Sequence, residues 1–266
     1  MRQSPIDIKT SDVVDDFAKQ FIKYGPLVFS GYHSVLVSGV NNGYTVQFSC
    51  DGEESIHPTL TGGPLQHKYR LEQVHFHWPS EHSINGVKYP MEIHFVHVRA
   101  DLTVKDALKN EDGLTIVSVF CNVQTELNEP QQESSKELME YVPKLLNTGE
   151  RISGIILDMT KLLSVNYNSY YTYAGSLTSP DCNEAVIWII FDTPIYLTDA
   201  QYRLFSKVRR HNFRALQTLN QHIVYRPPHA TFNTPQIVKL FDEMVQVVTE
   251  FFRHVTKFMT KGFKTR

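Results

Sequence analysis

The sequence predicts a β-dominated domain with a few peripheral helices. Short alternating or apolar runs recur along the chain between turn signals. Aromatic residues make up 12% of the 266 positions, mostly Phe and Tyr, and such side chains suit a pleated, half-buried surface. Helical periodicity is confined to a few segments.

Residues 34–37 lead into Asn41-Asn42-Gly43, and residues 44–48 follow directly. Asn-Gly between two such runs is a hairpin signal. Gly62-Gly63-Pro64 is a further break. Residues 71–78 and 91–99 read as strands, with Asn85-Gly86 in the connection between them. Residues 114–123 and 185–191 are continuous enough for central strands, and 152–157 is a shorter candidate. Helices are expected at 104–109, at 134–146 and at 199–208, the last opening on Asp199, a residue type suited to capping.

The tail differs. From Pro235 onward, apolar residues such as Ile237, Leu240, Phe241, Met244, Val248, Phe251 and Val255 recur near a period of 3.6, which predicts an amphipathic helix. Charges at Lys239, Asp242, Glu243, Glu250, Arg253 and Lys257 interrupt it. Packing in cis, pairing with a partner and lying on a membrane surface all remain open for it.

Composition narrows the function. Lys and Arg number 26 against 28 Asp and Glu, a net charge of -2, so no basic excess points to nucleic acid. No stretch approaches 18 apolar residues, the scale of a membrane span, and residues 1–8 contain no apolar leader. Cys50, Cys121 and Cys182 are an odd set. They read as three buried thiols, or as a set from which one partner is missing.

Six of the 12 histidines fall between His67 and His97. In Gln73-Val74-His75-Phe76-His77-Trp78, the period of two puts Gln73, His75 and His77 on one face and Val74, Phe76 and Trp78 on the other. In Met91-Glu92-Ile93-His94-Phe95-Val96-His97, Glu92 and His94 share a face, while His97 has the opposite parity. If the two strands are neighbours, three imidazoles converge. A His-x-His pair alone is often incidental, but the joint pattern is much sharper. Three neutral ligands leave zinc its full charge and an open position, the arrangement of catalytic sites. Such a metal brings the pKa of a bound water to about 7. Gln73 and Glu92 fit as acceptors for the second ring N–H of the ligands.

These segments closely resemble the alpha class of carbonic anhydrases. The resemblance is carried by Arg2-Gln3-Ser4-Pro5-Ile6-Asp7-Ile8, Asn41-Asn42-Gly43, Gly62-Gly63-Pro64-Leu65, Gln73-Val74-His75-Phe76-His77-Trp78 and Ser80-Glu81-His82. Glu92-Ile93-His94-Phe95-Val96-His97, Asp112-Gly113-Leu114, Gly175-Ser176-Leu177-Thr178-Ser179-Pro180, Val186-Ile187-Trp188 and Asn212-Phe213-Arg214 continue it. It spans residues 1–228 and implies a twisted, mostly antiparallel sheet of about ten strands. It divides the chain into a 1–230 domain lacking its N-terminal segment and a 231–266 extension bearing the amphipathic helix.

The resemblance implies zinc held by His75, His77 and His94. It implies a gatekeeper hydroxyl at Thr178 that donates its proton to Glu81. It places Ser179 beside the substrate and makes Val96, Ile116, Leu177, Val186 and Trp188 an apolar wall for carbon dioxide. Asn42, Gln47 and Tyr44 line the wet side, with Gln73 and Glu92 behind the ligands. The implied reaction is reversible hydration of carbon dioxide to bicarbonate and a proton, with weak ester hydrolysis as a side activity.

There are departures. Tyr44 stands where fast members carry a shuttle histidine, and a phenol's usual pKa of about 10 suits that task poorly near pH 7. The connection Trp78-Pro79-Ser80-Glu81 is short. Secreted members pair a cysteine at the position of Cys182 with one near the start, so an absent N-terminal piece is expected. The protein is extracellular if that piece carried a leader and cytoplasmic as written. A monomer is expected, with the tail packing in cis or mediating self-association. The competing functions are a non-catalytic binding or adhesion module on the same fold and a generic zinc hydrolase.

Overall fold

A computed structural model describes residues 1–15, 25–128, 136, 140–163, 166–208, 211–220 and 222–227. The tail helix expected beyond residue 230, and most of the 134–146 helix, lie outside the described residues. Lys136, Glu140 and Tyr141 are helical, and a 3-10 turn follows at Val142–Lys144.

The fold is mainly β. A ten-stranded sheet runs in the order β11-β3-β4-β6-β9-β10-β13-β12, with β5 attached to β6 and β2 to β5. Its strands are β2 (Val28–Ser30), β3 (Val35–Asn41), β4 (Val46–Cys50), β5 (Thr59–Thr61), β6 (Tyr69–His77), β9 (Met91–Arg99), β10 (Leu114–Gln124), β11 (Arg151–Leu157), β12 (Tyr170–Gly175) and β13 (Val186–Thr198). All pairs in it are antiparallel except β10 with β13. A small second sheet joins β1 (Asp7–Ile8), β7 (Ser83–Ile84) and β8 (Val87–Lys88). Asn85 (φ 50°) and Gly86 (φ 78°) make the tight β7–β8 turn, which needs positive φ at both central positions.

β13 runs seven residues past the expected end at Phe191. Asp192-Thr193-Pro194 looks like a break in sequence, but here it forms a bulge. The β10 partner shifts from Val119↔Phe191 to Cys121↔Ile195, so Pro194 sits where its missing N–H costs no ladder bond. Helix α1 covers Val104–Ala107 and α2 covers Asp199–Val208. The cap of α2 is Thr198, not Asp199. Thr198 Oγ1 accepts from Gln201 N at 3.2 Å, and Gln201 Oε1 accepts from Thr198 N at 2.8 Å, a capping box. Asp199 pairs instead with Arg203 one turn on.

β6 divides the interior. Val74 and Phe76 join Phe48, Ile93, Phe95 and Phe205 in the larger hydrophobic cluster. The opposite face carries Gln73, His75 and His77. That face is flanked by a second cluster containing Ile116, Phe120, Trp188 and Ile190. All three cysteines are free; Cys121 is buried, whereas Cys50 and Cys182 are only half-buried, against the expectation of three buried thiols. Among the described residues, no helix is long and apolar enough to cross a membrane.

Candidate metal centre

The β6–β9 register sets His75 opposite His94, His77 opposite Glu92 and Gln73 opposite Val96. All six therefore share one face. His75, His77 and His94 bring ligand atoms within 4.8 Å of one another. His97 lies on the other side, where Tyr32 and the Thr115 carbonyl hold it.

The hydrogen bonds assign the protons. His75 Nδ1 donates to Gln73 Oε1 at 2.9 Å, and His77 Nδ1 donates to the Asn212 carbonyl at 2.6 Å. His94 Nε2 donates to Glu92 Oε1 at 2.8 Å. The nitrogens left for the centre are His75 Nε2, His77 Nε2 and His94 Nδ1, each with a lone pair. His75 Nε2 and His77 Nε2 stand 3.0 Å apart, a repulsive approach for two lone pairs unless a cation lies between them. Burial, with His77 and His94 adding to it, lowers the pKa of His75 well below its usual value. Burial also lowers that of His77, against the pull of Glu81. Neutral imidazoles result, as a metal requires.

Glu92 anchors this shell. Its Oε1 accepts from His94 Nε2, from His82 Nδ1 at 2.7 Å and from Ser118 Oγ at 2.6 Å. Its Oε2 accepts from the backbone N–H of Glu81 and His82 at 2.7 and 2.8 Å. Burial alone would raise the pKa of this carboxyl, but His82 and His94 beside it hold it well below the usual range. His82, Glu92 and His94 are also close enough to suggest a metal trio. Five donors already occupy that carboxylate, however, leaving no lone pair for an ion.

Glu81 lies behind the ligands rather than in the cavity wall. Its Oε1 accepts from Arg214 N at 2.8 Å. Its Oε2 is buried without a hydrogen-bond partner, 3.5 Å from His77 Nε2 and 4.0 Å from His94 Nδ1. The expected bond from Thr178 to this carboxylate is therefore not formed, although Thr178 lines the cavity.

The cavity has a volume of about 370 Å³. Asn42, Tyr44, Gln47, Gln73 and Ser179 line it together with Val96, Ile116 and Leu177 and the three histidines. Val186 and Trp188 do not. Both are fully buried in the cluster behind the wall, paired in register with Leu114 and Ile116, which do line it. Trp188 meets the edge of His94 instead, with ring centroids 5.0 Å apart.

Several participants escaped the sequence reading. Asn212 binds His77 through its carbonyl, and its side chain bonds Trp78 N and the carbonyls of Phe76 and Tyr44. A backbone acceptor so distant in sequence leaves no local signal. Ser118 does leave one: it is a hydroxyl set between Val117 and Val119 in a largely apolar strand, opposite His94 in register. His82 extends the network through Tyr173 to Ser4, with bonds of 2.7 and 2.9 Å.

Comparison with known proteins points one way. The sequence model of eukaryotic-type carbonic anhydrases matches residues 1–229. Putative carbonic anhydrase 5 of Caenorhabditis elegans is 34% identical over 248 residues, covering 85% of this chain and 76% of that protein. Putative carbonic anhydrase 3 of the same organism is 34% identical over 234 residues, covering 82% and 87%. Carbonic anhydrase 7 of Homo sapiens is 33% identical over 237 residues, covering 85% and 84%.

Proposed function

The chain belongs to the eukaryotic-type carbonic anhydrase family, and from that premise we infer how its own side chains perform the zinc-dependent hydration of carbon dioxide to bicarbonate. One observation carries the assignment. Three ring nitrogens stripped of protons by their outer hydrogen bonds converge on one point.

His75 Nε2, His77 Nε2 and His94 Nδ1 are the zinc ligands in this reading. When bound, zinc supplies the Lewis acidity that makes hydroxide available near neutral pH. Gln73, the Asn212 carbonyl and Glu92 fix the tautomers and ring orientations. Thr178 is the orienting hydroxyl, and the unpartnered Oε2 of Glu81 is the acceptor that would take its hydrogen. With that hydrogen turned inward, the Thr178 oxygen is left as an acceptor towards the cavity. Val96, Ile116 and Leu177 hold the apolar substrate, and Ser179 faces the product. Asn42, Gln47 and Tyr44 keep the opposite wall wet for water and the departing proton. Val186 and Trp188 support the wall from behind. The same nucleophile makes slow hydrolysis of activated esters a side activity.

The test joins metal content to stopped-flow hydration, with a sulfonamide as control. The wild type is expected to carry about one zinc per chain and to show inhibitable hydration. His94→Ala should lose most zinc and at least about 100-fold in activity, the scale on which ligand-sphere changes act. Retained zinc with near-normal hydration in that variant would overturn the ligand assignment.

A further inference from the structure

The cavity's polar and apolar walls suit water and carbon dioxide, but neither accounts for Glu72. Among the described residues lining the cavity it is the one carboxylate, and no Lys or Arg accompanies it there. In a regular β6 it would share the core face with Val74 and Phe76. It does not, because β6 carries a bulge at this point: Leu71 pairs with His97 and Gln73 with Val96, so Glu72 is the extra residue. Bulges re-aim side chains in this way. Here the effect is to put a carboxylate on the cavity lining, next to Gln73.

Arg70 holds it there. Arg70 Nε lies 2.8 Å from Glu72 Oε1, and its Nη1 donates to the carbonyls of Arg99 and Leu102 at 3.1 and 2.9 Å. The guanidinium is buried and is shared with Glu54 through Nη2 at 3.0 Å. Two carboxylates on one guanidinium leave the group with one net negative charge. Of the two, Glu54 is largely exposed (64%) and Glu72 mostly covered (22%), so water screens the charge at the cavity least. The low-dielectric wall of Val96, Leu114, Ile116 and Leu177 further concentrates its field within the cavity.

We propose that Glu72 is a specificity-determining residue that discriminates by charge: it weakens the hold of the cavity on anions while leaving uncharged ligands unaffected. Carbon dioxide is neutral, whereas bicarbonate and small inhibitory anions are not. The carboxylate would thus favour product departure and resist blockade of the centre by anions. The inference rests on the zinc-hydratase reading.

The experiment uses the holoprotein with cobalt(II) in place of zinc and thiocyanate as the probe, read by visible absorption. Glu72→Gln keeps the size and removes the charge. It should bind thiocyanate about 3- to 30-fold more tightly at low ionic strength, the order expected of one charge acting across a small cavity. The difference should fall below about twofold near 0.5 M salt. Benzenesulfonamide is uncharged in solution. Above the pKa of the metal-bound water, the proton it loses on binding leaves with the displaced hydroxide as water, so binding adds no charge to the centre. Its affinity, measured there, should stay within twofold. Equal thiocyanate affinity in variant and wild type overturns the proposal. So does equal tightening of the uncharged sulfonamide, which would point to space rather than charge.

A second measurement needs no variant. On the wild type, a sulfonamide bearing a para-carboxylate should bind more weakly than its para-carboxamide counterpart, with salt closing the difference; equal binding overturns the proposal. A wild type that takes up neither cobalt nor sulfonamide overturns the zinc reading and this inference together. Normal sulfonamide binding with charge-blind anion affinity overturns this inference alone.

Discussion

Tyr44 marks what one side chain controls in this cavity. It lines the wall and is 39% exposed, so a proton carrier at this position would reach both the interior and bulk water. A phenol carries protons poorly near pH 7, whereas imidazole titrates there. Tyr44→His should therefore raise turnover several-fold in weak buffer and change little in strong buffer. Stopped-flow rates against buffer concentration would show it, and identical buffer dependence in both proteins would mean that protons leave by another route. His97 illustrates a structural role for the same residue type. Its Nδ1 donates to the Thr115 carbonyl, and its Nε2 accepts from Tyr32 at 2.6 Å. Burial lowers its pKa to about 4. Between about pH 6.5 and 4 the unfolded chain gains a proton that the folded chain refuses, so stability falls as pH falls through that window. At about 1.4 kcal/mol per pH unit the loss comes to about 3.5 kcal/mol, and it stops below about pH 4. His97→Gln should flatten this part of the urea-unfolding stability profile relative to wild type; parallel profiles would refute the cause. Strand parity alone distinguished His97 from His75, His77 and His94 in the sequence. No parity argument could reveal the Asn212 carbonyl, which comes from a distant part of the chain, or the unpartnered oxygen of Glu81, which lies in the connection after β6 where strand alternation no longer applies.

Elements with a clean alternation were legible at the scale of strands and helices. β9 and α2 have their expected bounds, and β6, β10 and β11 differ only at their ends. β12 was not foreseen. Its run of tyrosines shows no polar alternation, because Tyr170, Tyr171 and Tyr173 are all buried. The bulges in β6 and β13 were also invisible, since an extra residue changes facing without changing composition. Helix α2 matters to the site through its packing. Phe205 is fully buried, with its ring 5.2 Å from Phe76 and 5.7 Å from Trp78. Phe76 lies between His75 and His77 on the reverse face of β6, so α2 braces the strand that presents two ligands. Phe205→Ala should cost about 3–5 kcal/mol, the usual penalty for emptying a buried aromatic site. Denaturant midpoints would measure this. A loss below about 1 kcal/mol would mean that the helix is not integral to the core.

The whole molecule raises the question of where the working domain closes. The described residues, from 1 through 227, belong to one compact unit. Its last described segment is fastened on several sides. Gln217 N donates to the Pro5 carbonyl at 2.8 Å, and Ile6 bridges Gln217. Tyr225 bridges both Val14 and Thr172, and Arg226 pairs with Asp15 at 2.6 Å. Upstream of these ties, Asn212 orients His77 and Arg214 N holds Glu81. The route that brings residues 211–227 to the ligands is thus secured by contacts ending at Arg226. A chain truncated after Pro228 should therefore keep one zinc per molecule and hydrate carbon dioxide within about twofold of the full chain, far inside the 10–100-fold penalty of disturbing a ligand's hydrogen-bond partner. A chain cut before His211 should lose zinc, because the Nδ1 partner of His77 goes with it. Light-scattering masses of the full and the Pro228-terminated chains would show what the remaining residues contribute to assembly. The expected result is a monomer in both, differing only by the removed segment. A doubled mass in the full chain alone would assign self-association to residues 229–266. Lost hydration in the Pro228-terminated chain would show instead that the contacts at Tyr225 and Arg226 do not suffice to hold the site.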